Sequence, residues 1–196
     1  MVREAGRPLR ADAQRNRDKI LAAAVRVFSE EGLAAHFERV AKEAGVGTGT
    51  LYRNFPTREA LIEAAYRNEV ARLCDAAPDL LATMPPHEAL RAWMHRFVDY
   101  ATAKLGMAEA LRAVVASGVN PYAESRELIQ AALSTLLEAG VAAGTVRSDI
   151  LPTDMFAALA GIALTSAGPE QREQAERLIA LLLDGLRPLP PQLSEG

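Results

Sequence analysis

The chain has 196 residues, of which 49% are apolar and only 5% aromatic, and its formal net charge is −3. That length allows one or two small domains with a sizeable core, and the dominance of Ala and Leu with few β-branched runs predicts an all-α fold. No apolar run reaches the roughly 20 residues of a membrane span and no apolar signal core follows the arginine-rich start, which predicts a cytoplasmic protein, while the single Cys74 excludes an internal disulfide.

Charge is unevenly spread. Residues 1–70 hold 12 Lys and Arg against 10 Asp and Glu, and residues 71–196 hold 10 against 15. The first 26 residues alone carry seven basic side chains against three acidic, a bias that suits attraction to phosphate. Residues 1–14 contain Gly6-Arg7-Pro8 and no periodicity, and read as a flexible basic arm whose Arg7 and Arg10 are candidates for a minor groove. A helix is predicted from about Arg15 to Glu31, with Ile20, Ala23, Ala24, Val27 and Phe28 as its buried stripe and Gly32 as its stop. Arg15 and Arg17, near its start, are placed for phosphate contact.

The stretch from Phe37 to Leu61 is the most informative. Phe37, Val40, Ala41 and Ala44 recur at i, i+3, i+4 and i+7, and Gly45 follows where a helix end favours positive φ. Val46, Leu51 and Phe55 supply the apolar side of a second short helix over about Gly47 to Asn54. This is a helix-turn-helix pattern, whose second helix enters the major groove. With Leu51 inward and about 100° per residue, Gly49 and Arg53 point directly away, flanked by Thr50 and Tyr52. Hydroxyls, a phenol and a guanidinium around a glycine suit base edges and phosphates.

The string Val40-Ala41, Ala44-Gly45-Val46, Gly49-Thr50-Leu51-Tyr52, Phe55 and Arg58-Glu59-Ala60-Leu61 resembles the helix-turn-helix of the tetracycline-repressor (TetR) family of bacterial regulators. The resemblance covers residues 15–67 strongly and the remainder in architecture. It implies that Thr48, Gly49, Thr50, Tyr52, Arg53 and Asn54 meet DNA, with Arg53 able to contact guanine and Thr48 a thymine methyl or a phosphate. Members usually carry Ser or Thr where this chain has Ala35 and His36, so His36 is left as the candidate donor there. Arg58 stands where Lys is usual and brings a positive charge to the start of the next helix.

That next helix, from about Arg58 to Ala76, links two domains: the helix-turn-helix domain over 15–67 and a second over 68–187. Pro78 and Pro85-Pro86 are expected to break the chain. A helix from His87 to Leu105 carries Trp93, Phe97 and Tyr100 on one side, and a shorter one follows with Met107 and Leu111. Asn120-Pro121 reads as the cap and first position of another long helix. Core packing accounts for such an aromatic stripe on general grounds. The resemblance instead implies a pocket for a largely apolar small molecule, with Trp93, Phe97, Tyr100, Met107, Leu111 and Tyr122 as its candidate lining.

Arg147 and Asp149 fall in a loop over residues 144–151, where the resemblance implies that they make local contacts. The last two helices, about Pro152–Ala167 and Pro169–Arg187, are more apolar than a monomer needs. The resemblance implies a four-helix bundle with the same pair from a second subunit, through Phe156, Leu159, Ile162, Ala163, Leu178, Ile179, Leu182 and Leu186. Residues 188–196 read as a disordered Pro-rich tail. About nine helices are expected in all. With three histidines and no Cys/His set at ligand spacing, neither metal nor cofactor is expected, and GVGTGT lacks the preceding strand and following Lys of a phosphate loop. The reading is a homodimeric, ligand-responsive repressor of double-stranded operator DNA, and not an enzyme.

Overall fold

The structure is a computed structural model that describes residues 6–166 and 171–188, with side chains from residue 12 onward. Among the described residues the fold is all helical, with nine α-helices and one 3-10 turn. They are α1 (Gly6–Glu31), the turn η1 (Gly32–Ala34), α2 (Phe37–Ala44), α3 (Thr48–Asn54), α4 (Arg58–Thr83), α5 (Pro86–Gly106), α6 (Ala108–Ala116), α7 (Ser125–Ala142), α8 (Pro152–Thr165) and α9 (Arg172–Gly185). They form two compact units, one of the residues up to Glu69 with Ala103–Ala123, the other of Val70–Thr102 with the chain from Glu124 on. The first unit therefore adds to the expected 15–67 domain a second stretch that sequence reading placed in the C-terminal half. No helix among the described residues is long and apolar enough to cross a membrane.

In the first unit the stripe of α1 is fully buried, and α2 closes on it with Phe37, Val40, Ala41 and Ala44. Gly45 ends α2 at φ 68°, its N–H turned back to the carbonyls of Ala41 and Lys42, so glycine is required there to avoid left-handed strain. Leu51 and Phe55 anchor α3. Helix α4 opens with Thr57 as cap, its hydroxyl oxygen accepting from the Ala60 N–H at 3.1 Å. The start of α1 corrects the expected arm over 1–14: the chain is helical from Gly6, because Pro8 falls in the first turn where its missing N–H costs nothing. Residues 1–5 lie outside the described residues.

The end of α5 and helix α6 complete this unit. Ser29 Oγ donates to the Ala103 carbonyl at 3.2 Å. A Cβ at Gly106 would stand 2.9 Å from Ser29 Cβ, so only glycine lets the two helices approach this closely. Helix α6 packs on η1, burying Ala110, Leu111 and Val114.

In the second unit, α4 continues through Pro78 to Thr83, where a break was expected. Ala76, Ala77 and Leu80 on either side are buried, and that packing outweighs the single helical hydrogen bond a proline removes. Helix α7 starts at Ser125, not at Asn120-Pro121. Asn120 Oδ1 accepts the Tyr122 N–H at 3.0 Å and Glu124 sits at φ 67°, so the asparagine caps a turn instead of the helix. Gly140 lets the chain fold back on itself, since a Cβ there would lie 2.5 Å from Val146 Cγ2. Arg147 and Asp149 form the expected local contact, a two-pronged ion pair at 2.6 Å on each arm. It raises the guanidinium pKa and holds the carboxyl below its ordinary value, in both cases first through the hydrogen bond itself. The tail expected over 188–196 lies outside the described residues beyond Pro188.

Candidate nucleic-acid interface

Helix α3 owes its position to Leu51, which is fully buried, and its outer face to everything around it. Gly49, Tyr52 and Arg53 are exposed, as the angular reading places them, and Thr50 is half-buried; Thr48 and Asn54, given by the resemblance, are exposed as well. Arg53 Nη2 donates to Thr50 Oγ1 at 3.1 Å, which sets the guanidinium along the helix face. Asn54 Nδ2 donates to the Thr50 carbonyl at 2.8 Å, so its amide is turned back on its own helix. Tyr52 is 48% exposed, yet its ring packs against buried Phe37 with centroids 4.9 Å apart. A Cβ on Gly49 would meet nothing within 4 Å. The fold does not need that glycine, and its bare backbone leaves the centre of the exposed face open to close approach.

Neither His36 ahead of α2 nor Gly47 ahead of α3 makes a side-chain cap bond. The first-turn N–H groups of both helices thus keep no side-chain acceptor, the arrangement that binds anions. Ala35, where the resemblance leads one to expect a hydroxyl, is fully buried, whereas His36 is exposed.

The expected basic contacts divide. Arg15 is exposed and paired with Asp12. Arg17 lies with its Cζ 4.7 Å from the centre of the Phe55 ring, so it braces the base of α3. Arg58 is turned inward: Nη2 donates to the carbonyls of Leu33 at 2.6 Å and Gly32 at 3.2 Å, and its Cζ lies 5.2 Å over the Phe28 ring. The platform role of Phe37 was missed in the sequence, where it counts only as one more apolar position of α2.

The candidate ligand residues separate into the two units. Trp93, Phe97 and Tyr100 form a run of buried rings, with centroids 5.8 and 6.0 Å apart, and Phe97 also meets Phe156 at 5.7 Å. The Trp93 indole N–H donates to the Leu73 carbonyl at 2.8 Å. Met107, Leu111 and Tyr122 belong to the first unit. There Tyr122 stands edge-on to Tyr66 at 5.4 Å with Lys104 Nζ 4.8 Å above its ring, and burial pushes its phenol pKa up. A cavity of about 600 Å³ in the second unit is lined by other residues, among them His87, Leu90, Arg91, Val146 and Leu183.

The candidate dimer residues also divide. Leu159, Ile162, Ala163, Ile179 and Leu186 are buried within the subunit itself, while Phe156, Leu178 and Leu182 are half-buried. The large apolar side chains that α8 and α9 leave in solvent are Leu164, 66% exposed, and Leu181, 68% exposed. Neither belongs to the candidate dimer set, five of whose eight members face the subunit's own core. Leu181 borders a groove of about 420 Å³ with Met155, Leu178 and Leu182.

Residues 20–65 match the family model described as bacterial regulatory proteins, tetR family, and residues 85–188 match that of the transcriptional regulator SbtR-like C-terminal domain. The TetR transcriptional regulator SCO0520 from Streptomyces coelicolor is 77% identical, covering 89% of this chain and 99% of that one, with a TM-score of 0.88. A TetR transcription regulatory protein from Mycobacterium vanbaalenii is 37% identical over 92% of this chain and 100% of that one, at a TM-score of 0.75. An HTH-type transcriptional regulator of Staphylococcus aureus (strain USA300) is 44% identical over 54 residues, and the match spans only 29% of that relative. By name these relatives are transcriptional regulators and not enzymes. On these matches and this geometry, the chain belongs to the TetR family of bacterial transcriptional regulators, and its N-terminal helix-turn-helix is a DNA-binding domain.

Proposed function

We propose that this regulator acts in the cytoplasm as a homodimeric repressor that reads two-fold operator DNA through α3 and leaves it when a largely apolar small molecule binds. The observation that carries the DNA reading is Gly49, a glycine the fold does not use, set among exposed Thr48, Tyr52 and Arg53. Phosphates meet the uncapped starts of α2 and α3, with His36, Thr50 and Tyr52 as donors and Arg15 adding charge. Arg53 reads a guanine edge and Thr48 a thymine methyl or phosphate. Asn54 joins this face once its amide leaves the Thr50 carbonyl.

Dimerisation is supported by Leu164 and Leu181, apolar side chains that the subunit leaves uncovered on the helix pair the family uses. For the ligand reading, the support within the second unit is the run of buried rings of Trp93, Phe97 and Tyr100, while Met107, Leu111 and Tyr122 belong to the first unit. A ligand releases DNA only to the extent that it binds the DNA-incompetent conformation more tightly. Gel shifts with duplexes enriched by the wild-type protein from a random-sequence pool test the reading. Arg53→Ala weakens binding to the enriched duplex and relaxes the preference at one base pair; unchanged affinity for it removes Arg53 from base reading.

A further inference from the structure

Helices α2 and α3 form an excursion from the chain, leaving it after η1 and returning at the start of α4. The residues at the two ends of that excursion are joined by one side chain. Arg58, the first residue of α4, reaches back to Leu33 and Gly32, which stand 25 and 26 residues earlier in the sequence. Both acceptors lie in η1, just past the end of α1, where a cation is favoured, and the Gly32 carbonyl also accepts the Ala35 N–H at 3.4 Å. The 2.6 Å bond to Leu33 is short, as expected of a charged donor. Arg58 Cζ lies 5.2 Å from the centre of the fully buried Phe28 ring of α1, and Arg58 Nε is itself enclosed with no acceptor.

We propose that Arg58 is a positioning residue for DNA recognition, not a phosphate contact: it clamps the base of the helix-turn-helix shut. With Nη2 committed to two carbonyls, the turn that delivers Ala35 and His36 to the start of α2 is tied to the helix that follows α3. The separation between the N-terminus of α2 and the exposed face of α3 is then fixed before DNA arrives, and no side-chain ordering there is left for the binding step. Lysine, usual at this position by the resemblance, offers one point donor and no plane for Phe28. This inference rests on the DNA-binding assignment, and a wild-type protein that enriches no duplex would defeat that assignment first.

The experiment is duplex affinity as a function of salt for the full-length dimer, using the enriched duplex and an unrelated one, with wild type, Arg58→Gln and Arg58→Lys. A clamp predicts that Arg58→Gln loses about tenfold or more for the enriched duplex, on the scale of a lost charged hydrogen bond, while the salt slope keeps its wild-type value. Affinity for the unrelated duplex is unchanged, and Arg58→Lys does not rescue. A phosphate contact predicts the opposite: a slope shallower by about 0.9 per subunit, equal losses on both duplexes, and rescue by lysine. That outcome overturns the proposal. So does a lower melting temperature with wild-type affinity for the enriched duplex at a temperature where all variants are folded, which marks a purely structural arginine. Should Arg58→Gln fail to fold, Arg58→Lys decides alone: selective loss at constant slope supports the clamp and wild-type affinity ends it.

Discussion

The ring of Tyr52, exposed on α3, rests on the ring of Phe37, buried in α2, with centroids 4.9 Å apart and planes tilted by 42°. The stack fixes the phenol oxygen relative to the helix that precedes it. Tyr52→Phe keeps the stack and removes only the hydroxyl. The expected result is unchanged thermal stability with DNA binding weaker by about 1.5–3 kcal/mol, the range of a hydrogen bond to a charged group. Fluorescence anisotropy with the enriched duplex measures it, and wild-type affinity would show that the phenol does not touch DNA.

Gly49 separates fold from function most cleanly. A methyl group there meets nothing of the protein. Gly49→Ala should leave stability unchanged or raise it by up to about 1 kcal/mol, because alanine is the better helix former. Affinity for the enriched duplex should fall by about tenfold or more, the cost of holding a backbone away from a base edge. Urea unfolding and anisotropy on the same preparation check both halves. A stable variant with full affinity would mean that nothing approaches α3 at this point.

Leu181 is predicted to be covered by a second subunit. Leu181→Glu places a charge on a side chain that is 68% exposed in the isolated subunit, so folding is not disturbed. Sedimentation should show the wild type at twice the subunit mass of 21.1 kDa and the variant at the subunit mass. A variant that remains dimeric puts the interface elsewhere.

Cys74 is predicted to be chemically quiet. Its thiol pKa is pushed up to about 11, first by burial and then by the neighbouring Asp75 carboxylate. At pH 8 only about one thiol in a thousand is then thiolate, the reactive form. Native protein should react with a disulfide reagent far more slowly than the unfolded chain does. Equal rates would show that the site opens freely.

The helix-turn-helix was legible in the sequence almost to the residue, because its apolar spacing and its glycine each act locally. Gly45 must be left-handed, Leu51 must point inward, and those two facts orient α3. What could not be read depends on contacts made across the fold. Arg17 and Arg58 look alike as basic residues at helix starts, yet Phe55 and the η1 carbonyls draw both away from the surface expected for them. Pro78 reads as a break until the burial of Ala77 and Leu80 beside it is known. In most of α8 and in the run Leu178–Leu183 of α9 apolar residues follow one another without a break, so periodicity could not separate the stripe facing the subunit's own core from Leu164 and Leu181.

A hydroxyl-radical footprint of the wild-type protein on its enriched duplex tests the central claim most directly. Two copies of α3 in a two-fold dimer predict two protected patches related by a dyad, with centres about 34–36 Å apart or further. Protection without dyad symmetry, or a pool from which no sequence is enriched, would contradict it.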